Sequence, residues 1–592
     1  MNQPSAAAGT FSLIWRIYSL AKSYSRLMLA SLLLTVAIAF LGPYRPYLMQ
    51  QCIDTYMVQK DADGLLTISL WIGALLIVQV VFQLMNTILS GTIGQNVLRD
   101  LRQKVFGKLI HSRIRFYDKT PVGTLVTRSV SDIETIADIF SEGLINIAGD
   151  LLQIIFILIL MFATDWRLSL VSLSVLPLLL YAGYLFKEKV RISFELVRNE
   201  VARLNTFVQE HIQGMHIVQL FNREQAELHK FKSINASHRD ANIRSIFYYS
   251  VFFPVVEIIA AVSVGLIVWY GSLQIIHYQT SAGVLVAFIM YVNMFFRPIR
   301  QIADRFNTLQ MGMVAAERIF KLTDDTESTE RSAESNYKLK NGKIEFNQVS
   351  FSYNSEYPVL DSVSFTVPSS KTLAIVGETG SGKSTIVQLI NRFYTHQSGT
   401  IMIDDVPVEN YSLETLRKHI ALVPQDVFLF SGSVLENIRL FNDSISEERV
   451  KEAAIKTGAD VFISKLPEGY KQQVFERGLS LSTGQRQLIA FTRAWLYNPE
   501  VLILDEATAN IDYESEQLIQ QATRELMKNR TCIIIAHRLS TVVNADTIVV
   551  LKAGRIIEQG SHHKLISKSG TYKELFEKQF ASAQRPTEII TE

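Results

Sequence analysis

Six long apolar runs constrain this chain more than anything else in it. They fall at about 27–49, 65–90, 144–163, 168–186, 246–272 and 283–304. A helix needs roughly 20 mostly apolar residues to cross about 30 Å of hydrocarbon. Six such runs are too many for the buried helices of a soluble protein, so residues 27–321 read as an all-α transmembrane domain of six helices. The average composition hides this. Only 48% of the 592 residues are hydrophobic and the formal net charge is +2, because the apolar runs lie before residue 320 and residues 341–580 read as a soluble α/β domain. Thr164-Asp165-Trp166-Arg167 leaves only a tight turn between the third and fourth runs, which makes those helices antiparallel neighbours.

Charge sets the orientation. Residues 95–140 hold eight Lys or Arg and residues 187–245 hold ten, whereas 50–64 holds one Lys and three Asp and 273–281 holds no basic residue. Basic loops stay on the cytoplasmic side. Both termini, the two long basic connections and the C-terminal half are therefore expected in the cytoplasm, and the protein in the inner (cytoplasmic) membrane. The charges of the two long connections recur at helical spacing, so the membrane helices should continue well beyond the bilayer. Phe116-Tyr117-Asp118 and the stretch from Gly214-Met215 to Arg223-Glu224 mark the expected turning points.

The flanking segments have their own signatures. Residues 10–26 alternate apolar and basic (Phe11, Ile14, Ile17 and Leu20 against Arg16, Lys22 and Arg26), with no cleavable signal peptide. Residues 1–26 are read as an interfacial elbow helix. Residues 322–340 are polar and without apolar periodicity, a linker, and residues 581–592 a flexible tail. Cys52 and Cys532 are too few for a disulfide framework and are expected to be unpaired thiols, the second in a reducing compartment.

The chemistry lies in residues 341–580. Gly377-Glu378-Thr379-Gly380-Ser381-Gly382-Lys383-Ser384 follows the apolar strand Thr372–Val376 and precedes a helical pattern from Thr385 to Ile390. Strand, glycine loop and helix form the context of a phosphate-binding loop. Glycines let backbone N–H groups close around phosphates, and the helix N-terminus adds positive potential. Lys383 can then reach the β- and γ-phosphates of ATP and the Ser384 hydroxyl can ligate Mg²⁺. Val501–Leu504 is a second buried strand, ending in Asp505 and Glu506. Asp505 suits the Mg²⁺ shell. Glu506, pointing elsewhere, suits the group that polarises the attacking water.

With these motifs in order, the chain resembles the ATP-binding-cassette family over residues 10–580. Within it, it resembles half-size exporters with six membrane helices of the type I exporter fold followed by one cassette. Leu481-Ser482-Thr483-Gly484-Gln485 matches the family's signature, which more often has Gly where this chain has Thr483. The resemblance implies that this motif sits at a helix N-terminus and meets the γ-phosphate held by another subunit, with Ser482, Gly484 and Gln485 at the nucleotide. It further implies that Tyr353 stacks on adenine and that Gln425 senses the γ-phosphate and joins the Mg²⁺ shell. Asp512 would cross the dimer interface and His537 contact the γ-phosphate. Glu476-Arg477-Gly478 would contact the partner's cytoplasmic helices. Phe116-Tyr117-Asp118, Pro121-Val122-Gly123 and Thr127-Arg128 to Asp132 follow the exporter pattern for the first cytoplasmic loop, expected to meet the cassette near Gln425.

The function so implied is ATP-driven export of hydrophobic or amphipathic small molecules, with lipid or peptide export as alternatives and import disfavoured by the order of the parts. Nucleic acid is excluded as a partner by the six spans. One chain supplies half of each composite ATP site, so a second half-transporter is required. Thr483 and Ala509-Asn510 resemble B-type subunits of bacterial multidrug pairs and favour a heterodimer over a homodimer. Glu257, three residues after Pro254 in the fifth run, is a candidate for meeting a cationic substrate, or else pairs with Arg297 on the sixth.

Overall fold

The computed structural model describes residues 6–277, 279–325, 337–354, 357–505, 513–535 and 542–583. It forms two compact units, one of Met1–Ile110 with Val122–Thr326, the other of His111–Pro121 with Glu327–Glu592.

The first unit is helical throughout and contains six helices long and apolar enough to cross a membrane. Helix α1 (Ala6–Leu20) precedes α2 (Ser25–Gln51), which carries Pro43 and Pro46, and α3 (Ala62–Ile110). The 49 residues of α3 span about 74 Å at 1.5 Å per residue, more than twice the hydrocarbon thickness. Along its outer half Leu66, Trp71, Ile77, Val80, Leu84 and Ile88 are each 59–67% exposed. In water such a stripe would associate with any apolar surface; against acyl chains it is solvated. The chain breaks at Arg113 and Thr120, both extended, on either side of the short helix α4 (Ile114–Lys119). Phe116-Tyr117-Asp118 thus lies in the helix between the two turns.

The third span ends in α5 (Leu144–Thr164), and α6 (Trp166–Leu173) starts after the single residue Asp165. The Asp165 carboxylate accepts from the backbone N–H groups of Arg167 (2.9 Å) and Leu168 (3.2 Å), a cap worth about 1 kcal/mol. Helix α7 (Leu176–Gln213) leads to Gly214 and the short α8 (Met215–Leu220). Helix α9 (Glu224–Ile276) then returns through the membrane and α10 (Ala282–Asp324) follows. Asp54 ties the end of the first span to the start of the sixth, accepting from the Ser281 hydroxyl (2.5 Å) and the Gly283 N–H (2.8 Å). At the far end of α10 Arg16 of α1 holds both oxygens of Asp324 (2.9 and 2.8 Å) and lies 4.1 Å over the Phe320 ring.

Glu257 lies on α9 as an exposed carboxylate. Arg297 of α10 acts electrostatically on Asp150 of α5, whose carboxylate is ion-paired to Arg305, also on α10. Arg297 and Arg305 of the sixth span thus both act on the third.

The second unit is built on two sheets. An antiparallel sheet has the order β2-β1-β4-β5, from β1 (Ile344–Phe351), β2 (Leu360–Val367), β4 (Ser398–Ile403) and β5 (Val406–Pro407). The larger sheet has the order β12-β11-β3-β10-β9-β6, all parallel except the edge strand β12. Its strands are β3 (Thr372–Val376), β6 (Ile420–Val423), β9 (Val501–Asp505), β10 (Thr531–Ile535), β11 (Thr547–Lys552) and β12 (Arg555–Gly560). Strands β3 and β10 are buried at every residue, as covered parallel strands must be. A small pair, β7 (Gly432–Ser433) with β8 (Gln473–Val474), lies beside them. Both cysteines are free, and burial pushes the Cys532 thiol up to about 12, leaving it inert.

Candidate nucleotide site

Ligand sites in parallel sheets form beyond the carboxyl ends of the strands, and the register assembles this one. Ile535 pairs with Ile375 on one side and with Asp505 on the other. The loop that follows β3, the end of β10 and the acidic end of β9 therefore share one edge of the sheet.

The loop itself is a cradle that only these residues can make. Gly377, Gly380 and Gly382 have φ of 156°, 83° and 103°, a region that costs an L side chain dearly. Space closes the matter at two of them. A Cβ at Gly377 would sit 2.2 Å from the Leu551 carbonyl oxygen and one at Gly382 would sit 2.7 Å from the Leu360 side chain. Gly380 faces open space. Helix α11 (Lys383–Ile390) begins directly after Gly382, so the free N–H groups of its first turn point at the loop.

Lys383 is 7% exposed, and its ammonium donates to the carbonyls of Gly377 and Glu378 at 2.8 Å each. Burial pushes its pKa down from the ordinary lysine value, while Asp505 at the strand end partly restores it. The Ser381 hydroxyl is buried and has no hydrogen-bond partner among the described residues. A buried cation and an unpaired donor inside a ring of backbone N–H groups suit a polyphosphate. Ser384 and Thr385 open α11, and Asp505 ends β9 opposite them, which gives Mg²⁺ one hydroxyl and one carboxylate to complement phosphate oxygens. No group of three or more potential metal-ligating residues exists among the described residues, and a magnesium shell shared with phosphates requires none.

Tyr353 lies beside helix α11, half-buried. Its hydroxyl donates to the Gln388 side chain (2.5 Å) and lies 3.2 Å from that of Thr385, so the ring is anchored to α11. Phe351 and Tyr394 meet it edge-on, each with centroids 4.9 Å away. Gln388 and Tyr394 were not legible as site residues; the only signal is that Phe393-Tyr394 follows the phosphate-loop helix directly. The Tyr394 hydroxyl donates to the Asp118 carboxylate of α4. Arg113, Arg115, Tyr353, Tyr394 and Leu413 line a cavity of about 410 Å³ between them. The first long connection, expected near Gln425, here reaches Tyr394 through Asp118.

Gln425 follows β6 as an exposed side chain. Beside it Phe428 and Phe430 (49% and 52% exposed) form an aromatic pair 5.1 Å apart, and Phe441 lies 6.1 Å from Phe430. Arg477, in a left-handed conformation, sits 6.0 Å over Phe428. That exposed patch had no sequence signal, since isolated phenylalanines usually mark core.

Leu481–Gln485 folds as the N-terminus of helix α12 (Thr483–Tyr497), with Ser482 as its cap. The Ser482 hydroxyl accepts from the Gln485 N–H (3.2 Å) and the Gln485 side chain accepts from the Ser482 N–H (2.9 Å). This reciprocal box occupies the Gln485 side chain. Gly484 is buried and Ser482 and Thr483 are exposed. Arg486 braces the turn by donating to the carbonyls of Gly478 and Leu481 and to the Thr483 hydroxyl (3.3 Å). Glu506, Asp512 and His537 lie outside the described residues.

A chain with six membrane helices and a glycine-cradled phosphate site belongs to a recognisable class. Residues 28–299 match the ABC transporter transmembrane region and residues 360–509 the ABC transporter family. The chain belongs to the ABC transporter family: it is a multi-pass membrane exporter half that couples ATP hydrolysis to transport. An uncharacterized ABC transporter ATP-binding protein of Bacillus subtilis (strain 168), YknV, is 38% identical over 96% of this chain and 95% of its own length. The probable multidrug resistance protein YheH of the same organism is 35% identical over 88% of this chain and 78% of its own. An ATP-dependent lipid A-core flippase of Desulfotalea psychrophila (strain LSv54 / DSM 12343) is 33% identical over 96% and 99%. Among solved structures, a bacterial Atm1-family ABC exporter with ATP bound superposes with a TM-score of 0.78 at 27% identity, over 94% of this chain and 98% of that one.

Proposed function

We propose that this chain exports hydrophobic or amphipathic compounds from the cytoplasm across the inner membrane by alternating access, as one half of a dimer. The carrying observation is the buried Lys383 ammonium in its glycine cradle, on a chain that also holds six membrane-spanning helices. In this reading residues 1–26 form the interfacial elbow, 27–321 the transmembrane domain, 322–340 the linker, 341–580 the ATPase domain and 581–592 a tail. Lys383 and the loop from Gly377 to Thr385 bind the phosphates of ATP, Tyr353 its base, and Ser384, Gln425 and Asp505 hold Mg²⁺. Bound Mg²⁺ neutralises phosphate charge and orients the γ-phosphate. Glu506 polarises the attacking water, and His537 and Gln425 sense the γ-phosphate.

Ser482, Gly484 and Gln485 at the head of α12 complete the partner's site, with Asp512 at the interface. A helix N-terminus with an exposed serine cap suits that role, since it offers partial positive charge to an anion from outside. The exposed Phe428-Phe430-Phe441 patch beside Gln425 suits a cytoplasmic helix of the partner, and Arg477 of the Glu476–Gly478 turn rims it. ATP must bind the closed dimer more tightly than the open one, because a ligand shifts an equilibrium only by its differential affinity. A heterodimer with a related half-transporter is favoured: the Thr483 hydroxyl is tied back to Arg486, leaving this signature different from its glycine-bearing relatives.

Glu257, exposed on the fifth span, is a candidate contact for cationic substrates. Lipid movement is the second reading, favoured by the relatives named lipid A-core flippases. Proteoliposomes test the proposal. ATP should drive dye or labelled lipid in the export direction, and Glu506→Gln should bind ATP, cease turnover and trap the closed dimer. ATP-independent movement, or normal turnover of Glu506→Gln in a dimer with no other active site, would refute it.

A further inference from the structure

The first apolar run carries an arginine, Arg45, between Pro43 and Pro46, and none of the motifs accounts for it. It lies about 18 Å along the helix from Met57, inside the first span. Arg45 makes no hydrogen bond or ion pair among the described residues, and its Nε is buried without a partner. An ionisable group within a span is costly and marks function by default.

The helices place other unpaired polar groups beside it. Gly42 of α2 abuts α3 and α10: a methyl group there would stand 3.7 Å from the Gln79 amide nitrogen and 3.5 Å from the Met294 terminal methyl. The first span runs outward and the sixth inward. Arg45 is one turn outward of Gly42, and Tyr291 is one turn outward of Met294, so both stand at the same level of adjoining helices. Tyr291 is 0% exposed with an unpaired hydroxyl, within electrostatic reach of Tyr47. The Gln79 amide oxygen is also buried and unpaired among the described residues, and its amide nitrogen, beside Gly42, is the donor available to an anion. Asp54, in the helical turn that follows α2, accepts from Ser281 and Gly283 and makes no ion pair with Arg45 among the described residues. Along α2 the rings of Phe40, Tyr44 and Tyr47 follow one another at 5.7 and 5.6 Å, a ladder that passes one residue before Arg45 and two after it.

We propose that Arg45, Gln79 and Tyr291 bind the anionic head of an amphiphilic substrate within the membrane, with the Phe40–Tyr44–Tyr47 ladder against its apolar body. This rests on the export reading and narrows its substrate class. A guanidinium and a phenol in low dielectric match a carboxylate or phosphate oxygen, and this anionic reading takes the place of the cationic contact at Glu257.

The test uses the purified dimer in phosphatidylcholine nanodiscs with two probes, a dansylated fatty acid and its uncharged methyl ester. The acid should bind roughly ten- to a hundred-fold more tightly than the ester, the span expected of one charge-assisted hydrogen bond. Arg45→Gln should reduce acid binding to the level of the ester and leave the ester unchanged, which also reports that the variant is folded. Arg45→Lys should keep most of the preference, and Tyr291→Phe should lose a few-fold. Competition with phosphatidylglycerol identifies the source of the head group: displacement assigns a bilayer lipid, no displacement a free acid, and both support the site. An equal preference in the unaltered protein, a preference retained by Arg45→Gln, or equal weakening of both probes overturns it. In proteoliposomes, ATP-driven movement of the ester without acid preference would sink the site and keep the exporter. An Arg45-dependent preference without ATP-driven movement of either probe would do the reverse.

Discussion

The bond between Tyr394 and Asp118 gives the sharpest handle on coupling. Tyr394 stands edge-on to Tyr353, the ring proposed to carry the base, and its hydroxyl reaches the carboxylate of the helix that returns the chain to the membrane. Removing that hydroxyl in Tyr394→Phe deletes one hydrogen bond to a charged acceptor. Such bonds contribute about 1.5–3 kcal/mol when shielded. Asp118 is exposed, so screening reduces this to about 1 kcal/mol. A coupling free energy of that size is worth about fivefold. Burial, then the bond to Asp118, raises the Tyr394 pKa above its ordinary value, so the phenol stays a donor at every physiological pH. The assay is ATPase activity in proteoliposomes with and without a transported substrate. Tyr394→Phe should lower the stimulated-to-basal ratio about fivefold and leave the KM for ATP near that of the parent. Asp118→Asn should do nearly the same, and the double variant should be no worse than either single one. Additive losses, or a lower melting temperature with an unchanged ratio, would refute the idea that this contact carries the signal.

Ser482 separates capping from catalysis. Ser482→Ala should cost about 1 kcal/mol of stability and also slow hydrolysis, whereas Ser482→Asp should keep the cap and abolish turnover by setting a carboxylate against phosphate; melting curves beside ATPase rates distinguish the two. Thr483→Gly frees Arg486 from the threonine hydroxyl and should raise hydrolysis at this half-site several-fold, which single-turnover rates would show. Asp404 should confer a pH dependence. Burial raises its pKa, but the backbone N–H groups of Lys340, Asn341 and Lys343 outweigh burial and hold it below the ordinary aspartate value. A depressed acid stabilises above its unfolded pKa of about 3.9 and loses that contribution as pH falls through the folded value. Asp404→Asn should therefore melt a few degrees lower at neutral pH and converge with the parent in acid; a constant gap across that range would contradict this.

How much could be read in advance differs between the two units. The six spans, the phosphate loop after β3 and the paired strand ending in Asp505 emerged where the residues placed them. Each is decided within a short window: hydrocarbon partitioning sums over one helix, and a left-handed glycine or an N-cap answers to its neighbours. Lys383 was legible for the same reason. Tyr394 and the Phe428-Phe430-Phe441 patch were not, because an aromatic residue reads as core until its exposed face is seen. Arg45 passed as one charge in an apolar run, because helix level alone does not say which neighbour a side chain faces.

By itself the sequence determined that the chain crosses a membrane six times and binds a triphosphate on a strand–loop–helix. Only the tertiary structure decided that β10 lies between β3 and β9, so that Lys383 and Asp505 face one site. It alone joined Tyr394 to Asp118 across 276 residues and set Arg45 level with Tyr291. Local propensities act over one or two turns. Which distant elements become neighbours is settled by how buried faces pack, and no window of sequence contains both sides of that contact.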